Sequence, residues 1–206
     1  MSTTKPVMTD ISADDALQRL LTGNERFVRG EVKMRLHRET LLALAQGQRP
    51  YAAIVGCSDS RVPPELIFDV GLGEVFVMRV AGNVFTPGIV GSMQYAGVHL
   101  LTPLVVVLGH EGCGAVRAAL KTRDHGEKQR SKVQFLVDNI LPGLPDFDHR
   151  LSERERIHQA VESNVRWTVR QIMDGAPRLA ERPLKVVGAI FEIKTARVRL
   201  LDEITT

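Results

Sequence analysis

The chain has 206 residues, 44% hydrophobic and 25% charged, enough to bury one substantial core and too few to suggest several domains. No run approaches the ~18 apolar residues of a membrane span, and the opening MSTTKPVMTD lacks the basic-then-apolar pattern of a secretory signal, so a cytoplasmic protein with no membrane partner is expected. The net charge of +3 is modest, and the densest basic stretch, Lys121 to Lys132, is broken by Asp124 and Glu127; it reads as a solvated loop and not as a nucleic-acid footprint.

Ser12 followed by Asp15 resembles a helix N-cap with an acid in the capping-box position. Leu17, Leu20, Leu21, Phe27 and Val28 recur at helical spacing and predict an amphipathic helix, with a short second helix over 37–45. Apolar runs rich in β-branched residues predict strands over 52–56, 75–80, 104–108 and 186–193, and 198–201 suits a hairpin partner for the last. Pro63 and Pro64 fit the first turn of a helix after the first strand, and Glu65 fits its positive end. Helical patterns cover 88–100, 115–120 and 153–173. Strands alternating with helices imply a mostly parallel sheet covered on both faces. There is no internal repeat and no low-complexity segment.

The chain's two cysteines fall at strand ends. Cys57, in GCSDSRVPPE, follows the first strand; His110 closes the third, and Cys113 comes in the same turn, GHEGCGAV. Two thiolates and an imidazole are the soft and borderline donors that select Zn²⁺, and three protein ligands leave a tetrahedral position open for water or substrate. A disulfide would consume two of these donors, so a reducing compartment suits the chain better. Periodicity does not specify the strand order. If the second strand lies outside the first, in the order 2-1-3, strands one and three become neighbours and their carboxyl ends meet at a topological switch point. Convergence of the three donors argues for that order.

Taken singly, each donor has an ordinary reading, since a buried cysteine is more often a small core residue. His99, in GVHLL, is read in that way as a core or interface residue. Asp59 and Arg61 are close enough to pair beside the metal. An ionised Asp59 held by Arg61 would orient a metal-bound hydroxide; released, it would turn onto the metal as a fourth ligand and block the open position. Other chemistries fit less well. Pro63 stands where a thiol phosphatase needs arginine, GLGEVF at 71–76 lacks the third glycine of a dinucleotide loop and precedes a strand, and no Cys-x-x-Cys exists.

With GCSDSRVPPE, VFVMRVAGN, VGSMQYAGVHL, VLGHEGCGAV and VVGAIFEI in this order, the chain resembles the β-class carbonic anhydrases. The resemblance implies one zinc per chain, held by Cys57, His110 and Cys113, with Asp59 and Arg61 as the catalytic dyad and Asp59 the fourth ligand of a closed state. It implies an α/β fold of sheet order 2-1-3-4 with a final antiparallel edge strand. A single domain over 1–206 is expected, with an N-terminal helical arm at 1–47 that wraps a partner subunit and a zinc-binding core at 48–206, in a homodimer or a tetramer of such dimers.

The implied reaction is reversible hydration of carbon dioxide to bicarbonate and a proton by hydroxide generated on zinc. Gln48 and the backbone N–H of Gly114 match substrate donors. Phe76, Ala81 and Tyr95 match the apolar wall that holds carbon dioxide, partly contributed across the dimer, and Ala81 is smaller than the valine often found there. Arg79 matches the arginine of a bicarbonate-responsive regulatory site. Ile54 replaces that site's tryptophan, which favours a centre open at neutral pH. His37, His125, His149 and His158 are equal candidates for passing the proton to solvent. Two rival readings are a carbonyl sulfide or carbon disulfide hydrolase using the same zinc, and a non-catalytic zinc protein used for assembly. Intact Asp59, Arg61 and Gln48 argue against the second.

Overall fold

The structure, a computed structural model, describes residues 11–34, 38–148, 150–175, 179–180 and 183–202. His37 and His149 lie outside these. The first helix, α1 (Ala13–Arg29), starts at Ser12, whose hydroxyl accepts the Asp15 N–H at 3.0 Å and donates to the Asp15 carboxylate at 2.6 Å. It ends at Gly30, whose φ of 72° supplies the left-handed cap. Next come α2 (Arg38–Leu44), β1 (Ala52–Gly56), the single turn α3 (Pro64–Ile67), β2 (Val75–Arg79), α4 (Pro87–Gln94) and β3 (Leu104–His110). The remainder is α5 (Gly114–His125), α6 (Ser131–Ile140), α7 (Glu153–Gly175), β4 (Lys185–Glu192) and β5 (Arg197–Leu200).

The sheet order is β2-β1-β3-β4-β5, with the first four strands parallel and β5 antiparallel to β4. Every residue of β1 and β3 is buried, which explains why both read as unbroken apolar runs with no alternation. On β4, Phe191 meets Phe27 of α1 with ring centroids 6.5 Å apart. Its neighbour Ile190 points to the opposite face, toward α7. There a Cβ on Gly109 would lie 2.5 Å from Val165 and 3.1 Å from Ile190, so glycine is what lets α7 cross β3 this closely beside His110.

Several boundaries differ from the sequence pattern. β3 runs on to His110 because its last residues still pair with β4. β2 stops at Arg79, and β4 and β5 each sit one residue earlier than expected. The helix expected over 88–100 is α4 followed by one π-helical turn, Tyr95–His99. A Cβ on Gly97 in that turn would lie 2.1 Å from the Leu179 carbonyl oxygen, so the irregular turn accommodates a close backbone approach. The stretch read as a basic loop is mostly helix: α5 continues to His125 and α6 begins at Ser131. Val133, Val137 and Ile140 carry a helical spacing there that the surrounding charges obscure, and Val137 and Ile140 are fully buried. The helix expected over 153–173 starts where expected, at Glu153, and Ser152 and Glu155 cap it reciprocally, N–H to carboxylate at 2.8 Å and N–H to hydroxyl at 3.3 Å. Among the described residues no helix is long and apolar enough to cross a membrane.

Candidate metal centre

The order β2-β1-β3 makes β1 and β3 parallel neighbours, with Gly56 opposite Leu108. Their carboxyl ends therefore deliver Cys57, one residue past β1, and His110, the last residue of β3, to one place; Cys113 joins them from the N-cap of α5. The three donor atoms lie within 4.8 Å of one another, and all three residues are buried. The sulfurs are 3.9 Å apart.

Nδ1 of His110 lies 3.0 Å from the Glu111 carbonyl oxygen. A carbonyl only accepts, so Nδ1 carries the proton and Nε2 presents its lone pair to the sulfurs. Nε2 is buried and has no protein partner, a cost that a cation would remove. The thiols point the same way. A hydrogen bond from Cys113 holds Cys57 well below the usual thiol range despite burial, with further help from the Gly82 N–H. That shared proton and burial push Cys113 up, against the N–H groups of Val116 and Ala115. A divalent cation between the sulfurs would let both ionise, so this donor set fits zinc.

Asp59 sits on the rim of this centre. Arg61 grips its carboxylate with Nε at 2.9 Å and Nη2 at 2.7 Å, and the Arg61 N–H adds a third bond at 3.0 Å. Those contacts hold the Asp59 carboxyl well below the ordinary carboxylate range, outweighing burial. Its Oδ2 is 3.9 Å from His110 Nε2, beside the position a metal would take. Arg79 reaches across from the end of β2 and donates to the carbonyl oxygens of Cys57 at 2.9 Å and Asp59 at 2.6 Å. Its guanidinium thus ties down the loop that carries both residues, and Ile54 is fully buried within β1.

The expected substrate residues divide into two groups. Gly114, opening α5, has an N–H with no intrahelical acceptor, and Ala81 adjoins Gly82, whose N–H donates to Cys57 Sγ at 3.4 Å. Gln48, Phe76 and Tyr95 lie elsewhere. Gln48 is exposed in the loop before β1, at the strand end away from Cys57; five strand residues span roughly 17 Å at ~3.3 Å each. Phe76 pairs in register with Ala53, and its ring stacks on Tyr95 with centroids 6.1 Å apart. His99, expected in a core or an interface, is exposed and lies against Tyr95 at 5.1 Å. A cleft of about 990 Å³ opens beside Arg61 and is also lined by Glu111, Gly112 and His158. His125 closes α5 at the end away from Gly114.

Sequence reasoning missed the support behind Cys57. Gly82 is held from α7 by Asn164, whose amide donates to the Gly82 carbonyl at 2.8 Å, and by Thr168, whose hydroxyl donates to the Asn83 carbonyl at 3.2 Å. A signal existed. Asn164 and Thr168 interrupt the buried face formed by Ile157, Ala160, Val161, Val165, Val169 and Ile172, and polar residues in such a stripe need partners.

Comparison with known proteins agrees with this geometry. Residues 52–198 match the model of the carbonic anhydrase family. Carbonic anhydrase 2 of Mycobacterium tuberculosis is 38% identical over 194 residues, covering 92% of this chain and 93% of that protein. The carbonic anhydrase of Mycolicibacterium smegmatis is 38% identical over 193 residues, with 90% and 91% covered. Among solved structures, the β-carbonic anhydrase CcaA superposes with a TM-score of 0.71 at 29% identity, over 90% of this chain and 87% of that one. A tetrameric β-carbonic anhydrase of Sordaria macrospora gives 0.72 at 26% identity, over 93% and 100%. A family match over most of the chain, relatives aligned nearly end to end and solved β-carbonic anhydrases that superpose over nearly the whole chain lead to one conclusion: the chain belongs to the β-carbonic anhydrases and is a carbonate dehydratase.

Proposed function

We propose that the chain catalyses reversible hydration of carbon dioxide to bicarbonate and a proton at a zinc ion held by Cys57, His110 and Cys113. The observation that carries this reading is the meeting of two buried thiols with the unpartnered Nε2 of His110, next to a carboxylate already clamped by arginine. When bound, zinc acidifies a water so that hydroxide is available near neutral pH. Cys57 and Cys113 as thiolates offset positive charge at the centre, so turnover is expected to climb with pH through the neutral to mildly alkaline range.

Asp59, kept ionised by Arg61, accepts a hydrogen bond from the nucleophile and turns its remaining lone pair toward substrate. The Gly114 N–H faces charge developing on a substrate oxygen. Gln48, Phe76 and Tyr95, displaced from their own chain's centre, serve the centre of a second copy, which makes a homodimer the working unit and the segment before residue 48 its arm. His158, in the cleft that Arg61 also lines, passes the proton toward solvent.

Stopped-flow carbon dioxide hydration across pH, on zinc-quantified protein with carbonyl sulfide hydrolysis assayed on the same sample, tests the reading. Zinc-dependent hydration rising with pH is expected. Full zinc occupancy with carbonyl sulfide turnover alone would replace the substrate, and neither activity would leave a binding role.

A further inference from the structure

The turn Ala81–Asn83 holds two successive residues in the left-handed region, Gly82 at φ 77° and Asn83 at φ 45°. Such a turn cannot satisfy its own carbonyls as a helix would, so the buried carbonyls of Gly82 and Asn83 need partners from another element. What holds it is α7. Asn164 and Thr168, one helical turn apart and each 1% exposed, donate to the consecutive carbonyls of Gly82 and Asn83. From the preceding peptide unit of the same turn, the Gly82 N–H donates to Cys57 Sγ at 3.4 Å. Space is tight around Gly82, where a Cβ would lie 2.9 Å from Ile140 and 3.1 Å from Ala115.

We propose that Asn164 and Thr168 are positioning residues for the metal centre: by gripping the Gly82–Asn83 carbonyls they aim the Gly82 N–H at the Cys57 sulfur and fix that sulfur where it can bind the metal. This rests on the reading of Cys57 as a zinc ligand and extends it to a helix that contributes no ligand of its own. Outer hydrogen bonds of this kind orient ligands and set how much electron density the sulfur donates. Neither residue touches substrate, and both act through a backbone amide.

The test uses Thr168→Val, which keeps the side chain's shape, and Asn164→Ala, with Ile172→Val on the same buried face as a packing control. Zinc affinity is measured by chelator competition. The thiolate-to-metal charge-transfer band is recorded on the cobalt-substituted protein, and unfolding midpoints are recorded alongside. Both clamp variants are expected to lose about 10-fold or more in zinc affinity and to shift the charge-transfer band, while the control leaves affinity and band unchanged. Clamp variants that are less stable but keep the wild-type affinity and band would overturn the proposal and leave the two residues a structural role. Should Asn164→Ala fail to fold, Thr168→Val decides between these outcomes. Wild-type protein that binds no zinc would instead overturn the metal reading itself.

Discussion

Asp59 and Arg61 form a unit whose geometry separates two roles for the carboxylate. A fork of two side-chain bonds plus a backbone N–H leaves Oδ2 facing His110 Nε2 without handing it over as a fourth ligand. Asp59→Ala is therefore expected to lower carbon dioxide turnover by on the order of 10²-fold while zinc content stays at the wild-type level, read by stopped flow beside metal quantification. Zinc lost together with activity would make Asp59 a structural ligand. Arg61→Lys keeps the charge but not the planar fork, so its turnover should fall between wild type and Asp59→Ala.

At the scale of elements, two contacts hold the scaffold around the centre. Asp69, at φ 44° just after α3, is buried and accepts from Arg26 Nε at 2.5 Å and from the N–H groups of Lys33 and Met34 at 2.9 Å each, tying the end of α1 to the sheet side of the molecule. Burial alone would raise its carboxyl pKa; the guanidinium and the two N–H groups outweigh burial and lower it. A group whose folded-state pKa is lowered contributes stability above its unfolded value, about 3.9, and that contribution is lost as pH falls through the folded value. Asp69→Asn should therefore cost about 1–3 kcal/mol at pH 7 and progressively less below about pH 4, measured by urea unfolding at each pH. Gly109→Ala tests the other contact. Its methyl would meet Val165 at 2.5 Å, so a loss of about 1–3 kcal/mol is expected, with weakened zinc binding because His110 is the next residue.

For the whole molecule, the described residues leave large apolar side chains exposed. No residue of α2 is buried, and Leu42 is 64% exposed beside Leu41 at 44%, with Tyr95 exposed as well. A surface of this kind is what a second copy would cover. If Gln48, Phe76 and Tyr95 serve the centre of a second copy as proposed, replacing Leu41 and Leu42 together by Glu is expected to lower the sedimenting mass and to reduce turnover strongly while zinc binding persists. A dissociated variant with full turnover would remove the cross-subunit wall from the mechanism.

The sequence by itself determined the donor set, the Asp59–Arg61 pairing, the strand and helix alternation and the capped start of α1. Each of these is local: donor chemistry belongs to side-chain type, two positions separate the dyad, and periodicity is read within one element. Sheet order became legible only through the convergence that Cys57, His110 and Cys113 require, because periodicity says nothing about which strand neighbours which. Tertiary structure alone decided that Nε2 of His110 is the free nitrogen, that Arg79 braces the Cys57 loop, that Gln48, Phe76 and Tyr95 stand away from their own centre, and that Asn164 and Thr168 hold the carbonyls of Gly82 and Asn83 behind Cys57. The His110 assignment rests on a contact with the adjacent Glu111 carbonyl that only the folded turn sets up; the others depend on residues far apart in the chain, where a side chain's partner is set by how helices and strands pack.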